Sequence, residues 1–188
     1  MQPTLDTERL TLRPFELADA SRVQEFAGSI EVARTTLSIP YPYPEEGAER
    51  WIRACIDRAD DGHGYPFAVI RTEDEQLIGC MSINITPSHR RGELGYWLGR
   101  PFWGQGYATE AAKRLVDFGF REQDLNKVWA AAMTKNPASA NVMRKVGMTF
   151  EGEFKQHILK WDQFEDVVYY GMTRADYEAR GDVYINKA

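Results

Sequence analysis

The run Glu93–Gly99 (ELGYWLG), then Trp103-Gly104-Gln105-Gly106-Tyr107-Ala108, then Thr109–Glu122 (TEAAKRLVDFGFRE) decides the fold. The first piece is short, apolar and aromatic, and reads as a strand. The last sets Ala111, Ala112, Leu115, Val116 and Phe118 at helical spacing, so one face is buried. Between them, small residues at Gly104, Gly106 and Ala108 let a ligand approach the backbone closely. Unpaired N–H groups at a helix N-terminus, helped by the helix dipole, favour an anion there. The segment is therefore either a phosphate cradle or a tight turn that needs glycine only for its dihedrals. Two common phosphate binders are excluded. A dinucleotide fingerprint wants a glycine where Thr109 stands, in a chain of alternating βαβ units, and a Walker loop wants Gly-Lys-Ser/Thr.

Working outward, Lys127–Met133 reads as a buried strand, which makes the segment a right-handed parallel crossover. Asn136–Val146 reads as a helix ended by Gly147, and strands are expected near Thr149–Lys155 and Asp166–Thr173, followed by a short terminal helix. Upstream, Arg9–Arg13, Tyr65–Thr72 and Gln76–Ile85 read as strands, Glu16–Ser29 and Glu45–Ala59 as helices, and Ser38–Pro44 (SIPYPYP) as a loop. Apart from the crossover, the strand connections are too short for anything but antiparallel pairing. The fold class is α/β, with a mixed, mostly antiparallel sheet.

Composition narrows the function. The chain has 188 residues, which suits one domain spanning residues 1–188 with its core over about 5–175. Lys+Arg is 23 and Asp+Glu is 28, a net charge of −5, which argues against a general nucleic-acid binder. The basic run Lys155-Gln156-His157 with Lys160-Trp161 is too isolated to change that, and reads as a solvated strand face. Two cysteines, Cys55 and Cys80, make no CxxC, and His63, His89 and His157 are scattered, so no metal is expected. Met1–Arg13 is charged throughout, unlike a signal peptide, and no apolar run could span a bilayer. A cytoplasmic protein with no membrane partner is the expectation.

At the glycine motif the chain resembles the GNAT N-acetyltransferase superfamily, in its RimJ/RimL-like branch. Gly106 and Ala108 match the family's Gln/Arg-x-x-Gly-x-Gly/Ala signature, while Trp103 stands where Gln or Arg is usual. Thr7–Arg13 (TERLTLR), Gly92–Leu98 (GELGYWL), Asn136-Pro137-Ala138-Ser139, Lys145-Val146-Gly147-Met148 and Trp161–Gly171 follow the branch in order. The resemblance implies acetyl transfer from acetyl-CoA to a primary amine. It also implies a V-shaped split between the family's fourth and fifth strands, here Glu93–Gly99 and Lys127–Met133, with helices on both sheet faces. Trp97, Leu98 and Gly99 would then lie along the pantetheine arm. The pyrophosphate would rest on backbone N–H groups of Gly104, Gln105, Gly106, Tyr107, Ala108 and Thr109, with Trp103 beside them at the cofactor. Asn136 and Ser139 would meet the thioester end, and Arg144 and Lys145 are candidates for the CoA phosphates. Dimers are common in the family, so the chain is expected to be a monomer or a homodimer.

The chemistry demands a base. An α-amine has a pKa of about 8 and lysine about 10.4, so little of either is neutral at pH 7. Glu93 matches the strand glutamate that serves as base in histone-acetylating relatives, and a position opening onto the split could raise its pKa by desolvation. The alternative is an exposed edge carboxylate. A backbone N–H near Leu98 would serve as the oxyanion donor. Many relatives protonate the leaving thiolate with a tyrosine; Met143 holds that position here, and Ser139 is the substitute. Ser139 could instead only cap its helix or bond the cofactor. Tyr41, Tyr43 and Trp51 could wall an acceptor pocket, with Glu165 and Asp166 near, and suit a cationic amine. Peptide N-termini and small amines compete as acceptors. A peptide needs an open groove between the SIPYPYP loop and the closing strands. A rival from another class is a non-catalytic acyl-CoA-binding sensor on the same fold.

Overall fold

The computed structural model describes residues 2–181. Its strands are β1 (Leu5–Asp6), β2 (Leu10–Pro14), β3 (Gly64–Arg71), β4 (Gln76–Thr86), β5 (Arg91–Leu98), β6 (Lys127–Met133), β7 (Thr149–Lys160) and β8 (Gln163–Thr173). Its helices are α1 (Ala20–Ala27), α2 (Ile30–Ala33), α3 (Gly47–Asp60), α4 (Tyr107–Arg121), α5 (Pro137–Val146) and α6 (Arg174–Ala179). The strands form one sheet in the order β1-β2-β3-β4-β5-β6-β8-β7. Among the described pairings, only β5–β6 is parallel.

Strand alternation sends neighbouring side chains to opposite faces. On one face Cys80 of β4 lies near Cys55 of α3, and Trp97 of β5 meets Trp51 of α3, with ring centroids 6.5 Å apart. On the other, Phe67 of β3 packs edge-on to Phe118 of α4 at 5.8 Å. Phe67, Phe118, Ile83, Met81 and Leu115 are completely buried, so the core is a helix–sheet–helix sandwich. The α4 stripe is fully buried at Ala111, Ala112, Leu115, Val116 and Phe118, as its spacing requires.

The β5–β6 register runs only from Arg91↔Lys127 to Leu94↔Ala130. Beyond it, Gly95–Leu98 continue to pair with β4, while Ala131–Met133 continue to pair with β8. The sheet therefore splits at Gly95, and strand edges on either side lack a sheet neighbour. Unpaired backbone groups need a partner when buried, which makes the split a receptive site for an amide-bearing chain.

The structure departs from sequence expectation in four places. The first expected helix opens as a 3₁₀ turn, Leu17–Asp19, where Asp19 is buried and forked onto Arg13 through two 2.8 Å bonds. The two-residue β1 and four-residue α2 are too short for periodicity to reveal. β7 and β8 are longer than expected and meet at Trp161-Asp162, both with positive φ (49° and 60°), as in a tight hairpin turn. Polar Lys155, Gln156 and His157 hid that length. They sit on an edge strand, where Gln156 has a φ of 49° and the register shifts between Phe154 and Ile158, so no alternation was legible. Finally, β6 pairs with β8 rather than with the next strand in sequence.

Candidate active site

A cleft of about 610 Å³ opens at the split and takes in both α4's N-terminus and the face beneath α3. Its donor end comes from one contiguous run. Gly104 and Gly106 have φ of 76° and 86°, which only glycine adopts without strain, so the dihedral reading of the motif holds. The same turn also leaves the helix start open to the cleft. Gly106 is the N-cap of α4, and no side chain caps the first N–H groups there. Gly104, Gly106, Tyr107, Ala108 and Thr109 all line the cleft. Glu110 locks the turn from behind, accepting from Thr7 Oγ1 at 2.7 Å, Arg9 N at 2.8 Å and Arg9 Nε at 2.7 Å. Burial alone would lift the Glu110 carboxyl, but these bonds outweigh it and hold it below its usual range. Arg9 also donates to the Gln105 carbonyl at 3.1 Å and lies 4.5 Å over the Tyr107 ring. The TERL block thus braces the glycine turn.

Trp103 lines the cleft and donates Nε1 to the Leu98 carbonyl at 2.7 Å, pinning the turn to the end of β5. Two further donor-side residues, Gln105 and Gly99, are not among the residues lining the cleft. Gln105 bonds back to the Pro101 carbonyl. Gly99 is small because a Cβ there would come within 2.7 Å of the Phe26 ring. Trp97 and Leu98 line the cleft.

Across the split, Asn136 caps α5 by accepting from the Ser139 N–H at 3.2 Å, and its Nδ2 donates to the Thr35 carbonyl at 3.0 Å. Capping therefore belongs to Asn136, and the Ser139 hydroxyl is left for another task. It lies 2.8 Å from the Tyr96 phenol, which reaches over from β5 and also donates to the Ser139 carbonyl at 3.2 Å. Burial pushes the Tyr96 phenol up to about 12, against the opposing Ser139 bond, so it stays a neutral donor. Sequence reasoning passed over Tyr96; the signal was its alternation with Glu93 and Trp97, which sends it to the α5 face. Met143 is buried in the core and offers no proton. Lys145 lines the cleft, whereas Arg144 donates to the Tyr170 hydroxyl at 3.3 Å.

The acceptor end lies beneath α3. Glu93 is half-buried, faces the cleft and has no hydrogen bond or ion pair among the described residues. Burial raises its pKa, with Arg91 pulling the other way. Tyr43 and Trp51 line the cleft. Tyr41 does not; it packs on Trp161 with centroids 6.2 Å apart. Glu165 and Asp166 are engaged by Lys135 and Lys155. Among the described residues no cluster of His, Cys, Asp or Glu could hold a metal ion, and no helix is long and apolar enough to cross a membrane.

A split parallel pair, a glycine-led helix start without a side-chain cap and a half-buried carboxylate meet in one cleft. The model of the acetyltransferase (GNAT) domain matches residues 9–149, and the chain belongs to that family of acyl-CoA-dependent N-acetyltransferases. It is 31% identical over 175 residues to the uncharacterized N-acetyltransferase p20 of Bacillus licheniformis, covering 93% of this chain and 98% of that one. It is 25% identical over 157 residues to the spermidine N(1)-acetyltransferase of Escherichia coli K12, covering 84% of this chain and 82% of the relative. A GNAT acetyltransferase structure from Bacillus anthracis superposes with a TM-score of 0.81 at 26% identity, covering 91% and 98% of the two chains. RimL, a ribosomal L7/L12 alpha-N-protein acetyltransferase solved with coenzyme A, shares the fold with a TM-score of 0.84 at 20% identity, over 93% and 99%.

Proposed function

We propose that the chain transfers the acetyl group of acetyl-CoA directly to a primary amine in a ternary complex. The acceptor is a peptide N-terminal amine, as in RimL-like relatives, or a small amine. The observation that carries this reading is the unpartnered, half-buried Glu93 in the same cleft as the split and the α4 N-terminus.

In this reading, backbone N–H groups at Tyr107–Thr109 hold the pyrophosphate, and the free edge of β5 pairs with the pantetheine amides. Glu93 takes the proton of the incoming ammonium, directly or through water, so that the amine nitrogen can attack the thioester carbon. A backbone N–H near Leu98 receives the developing oxyanion. As the C–S bond breaks, the Ser139 hydroxyl gives a proton to the sulfur and regains one, through water, from the nitrogen of the tetrahedral intermediate. Tyr96 supports that role by holding the Ser139 oxygen at 2.8 Å.

The test joins calorimetric titration of acetyl-CoA with thiol release across N-terminal peptides, polyamines and free amino acids. Tight binding with amine-dependent thiol release supports the transferase. Binding with no release from any amine favours the sensor instead, and absence of binding removes the cradle.

A further inference from the structure

We infer that the acceptor is a small molecule carrying a carboxylate beside its primary amine, as a free α-amino acid does, and that Arg58 and Asn84 hold that carboxylate while Glu93 faces the amine. This deepens the transfer reading above and rests on it.

Asn84 of β4 stands directly opposite Glu93 of β5 in the antiparallel register. Residues so placed have their Cβ atoms about 5 Å apart. Arg58, near the end of α3, donates Nη1 to Asn84 Oδ1 at 2.9 Å. It reaches there because Gly64 of β3 leaves room: a Cβ at that position would meet the Arg58 side chain at 2.9 Å. Arg58, Asn84 and Glu93 all line the cleft. Arg58 can only donate, so Asn84 must present its oxygen to it and its amide nitrogen elsewhere. Among the described residues, no carboxylate pairs with Arg58 and no partner engages the Asn84 amide nitrogen. One end of the cleft therefore offers a guanidinium and an amide donor, with a carboxylate one strand away. Guanidinium–carboxylate bonds are charge-assisted and paired, so an oxyacid is the ligand this geometry favours.

Two further observations select against the other acceptor classes. Among the described residues, the charged side chains lining this end are Arg58 and Glu93, so its one carboxylate already faces a cation. A polyamine would bring several positive charges to a cleft that can neutralise one of them. For a peptide, the gap between the Ser38–Pro44 loop and the β7–β8 hairpin is bridged. Buried Lys160 points Nζ at the Ile39 carbonyl at 3.4 Å, and Tyr41 packs on Trp161.

The experiment follows thiol release from acetyl-CoA with three matched acceptor series: L-amino acids, their amides, and the corresponding decarboxylated amines, with spermidine alongside. The best amino acid should exceed its amide and its decarboxylated amine by about tenfold or more in kcat/KM, the size of one charge-assisted bond. Arg58→Ala should lose about 10- to 100-fold on that amino acid, mainly through KM, and at least about tenfold less on the decarboxylated amine. Asn84→Asp, which neutralises Arg58 in place, should reproduce the same selective loss without shortening any side chain. Equal use of amides, plain amines or spermidine overturns the proposal and leaves transfer standing, as does an equal loss on every acceptor in both variants. Binding of acetyl-CoA with no release from any acceptor overturns the transfer reading, and this subsite with it.

Discussion

The donor and acceptor halves of the cleft share β5 as a wall but draw on the chain differently. In the proposed mechanism the donor half comes mainly from two stretches, within Trp97–Thr109 and Asn136–Lys145, and would work largely through backbone N–H groups. The acceptor half gathers Tyr43 from a loop, Trp51 and Arg58 from α3, Asn84 from β4 and Glu93 from β5, and its working groups are side chains. A backbone site tolerates sequence change so long as its dihedrals survive. A side-chain site depends on each residue and on the packing that aims it. Substitutions in the two halves should therefore fail in different currencies: affinity for acetyl-CoA on one side, turnover and acceptor choice on the other.

The largest effect is expected at Glu93. Glu93→Gln should lower turnover by about 10²- to 10⁴-fold, the usual worth of a general base. Because burial raises the Glu93 pKa, the wild-type rate should climb with pH through that raised value, and the variant should lose this acid limb. The same burial disfavours the ionised form, so the fold carries a cost that appears as pH rises through the folded pKa. Glu93→Gln should therefore be the more thermostable chain at neutral pH, with the advantage gone in acid. A pH–rate profile and a melting series test both; an unchanged acid limb would exclude Glu93 as base.

Glu110→Gln is the next largest. It removes a charged acceptor from three short bonds and should cost about 2 kcal/mol, read by denaturant unfolding. The fold holds the Glu110 carboxylate low, so its contribution is present above the unfolded pKa and disappears as pH falls through the folded one. Wild type and variant should converge in strong acid. Gly106→Ala forces a side chain into the left-handed region and should cost about 1–2 kcal/mol. Calorimetry should show acetyl-CoA binding weakened with the acceptor preference intact, which keeps the two halves separate. A change in acceptor choice would break the comparison.

Tyr96→Phe is the smallest and the most discriminating. It keeps the ring and removes the phenol's two contacts with Ser139, worth about 1–2 kcal/mol, or roughly five- to thirtyfold in turnover. In the proposed mechanism Tyr96 orients Ser139 as proton donor and makes no phosphate contact, so turnover should fall while acetyl-CoA affinity holds. An equal loss of affinity would make Tyr96 a brace for the split instead.

Local pattern sufficed wherever neighbours in sequence are neighbours in space. The α4 stripe, the glycine turn and its positive dihedrals, and the single parallel crossover all follow from short-range periodicity and chirality. The resemblance in Trp103–Ala111 carried the family with it. Glu93 was legible because its strand is. The Tyr41 ring turns onto Trp161 and the Gln105 side chain onto Pro101, directions that a residue's segment leaves open even where it fixes the backbone.

Long-range register alone decided the rest. Arg58 and Asn84 are 26 residues apart, and nothing in either segment announces the other. The β3–β4 and β4–β5 pairings set Asn84 opposite Glu93, and the space at Gly64 then lets Arg58 reach it. The bond from Tyr96 to Ser139 likewise exists only because the sheet splits and α5 packs over the gap. The sequence determined the class of chemistry, since an anion cradle at a helix N-terminus is a local property of the backbone. The tertiary structure decided what that chemistry is aimed at, since an acceptor pocket is a meeting of side chains from distant segments, and only packing brings them together.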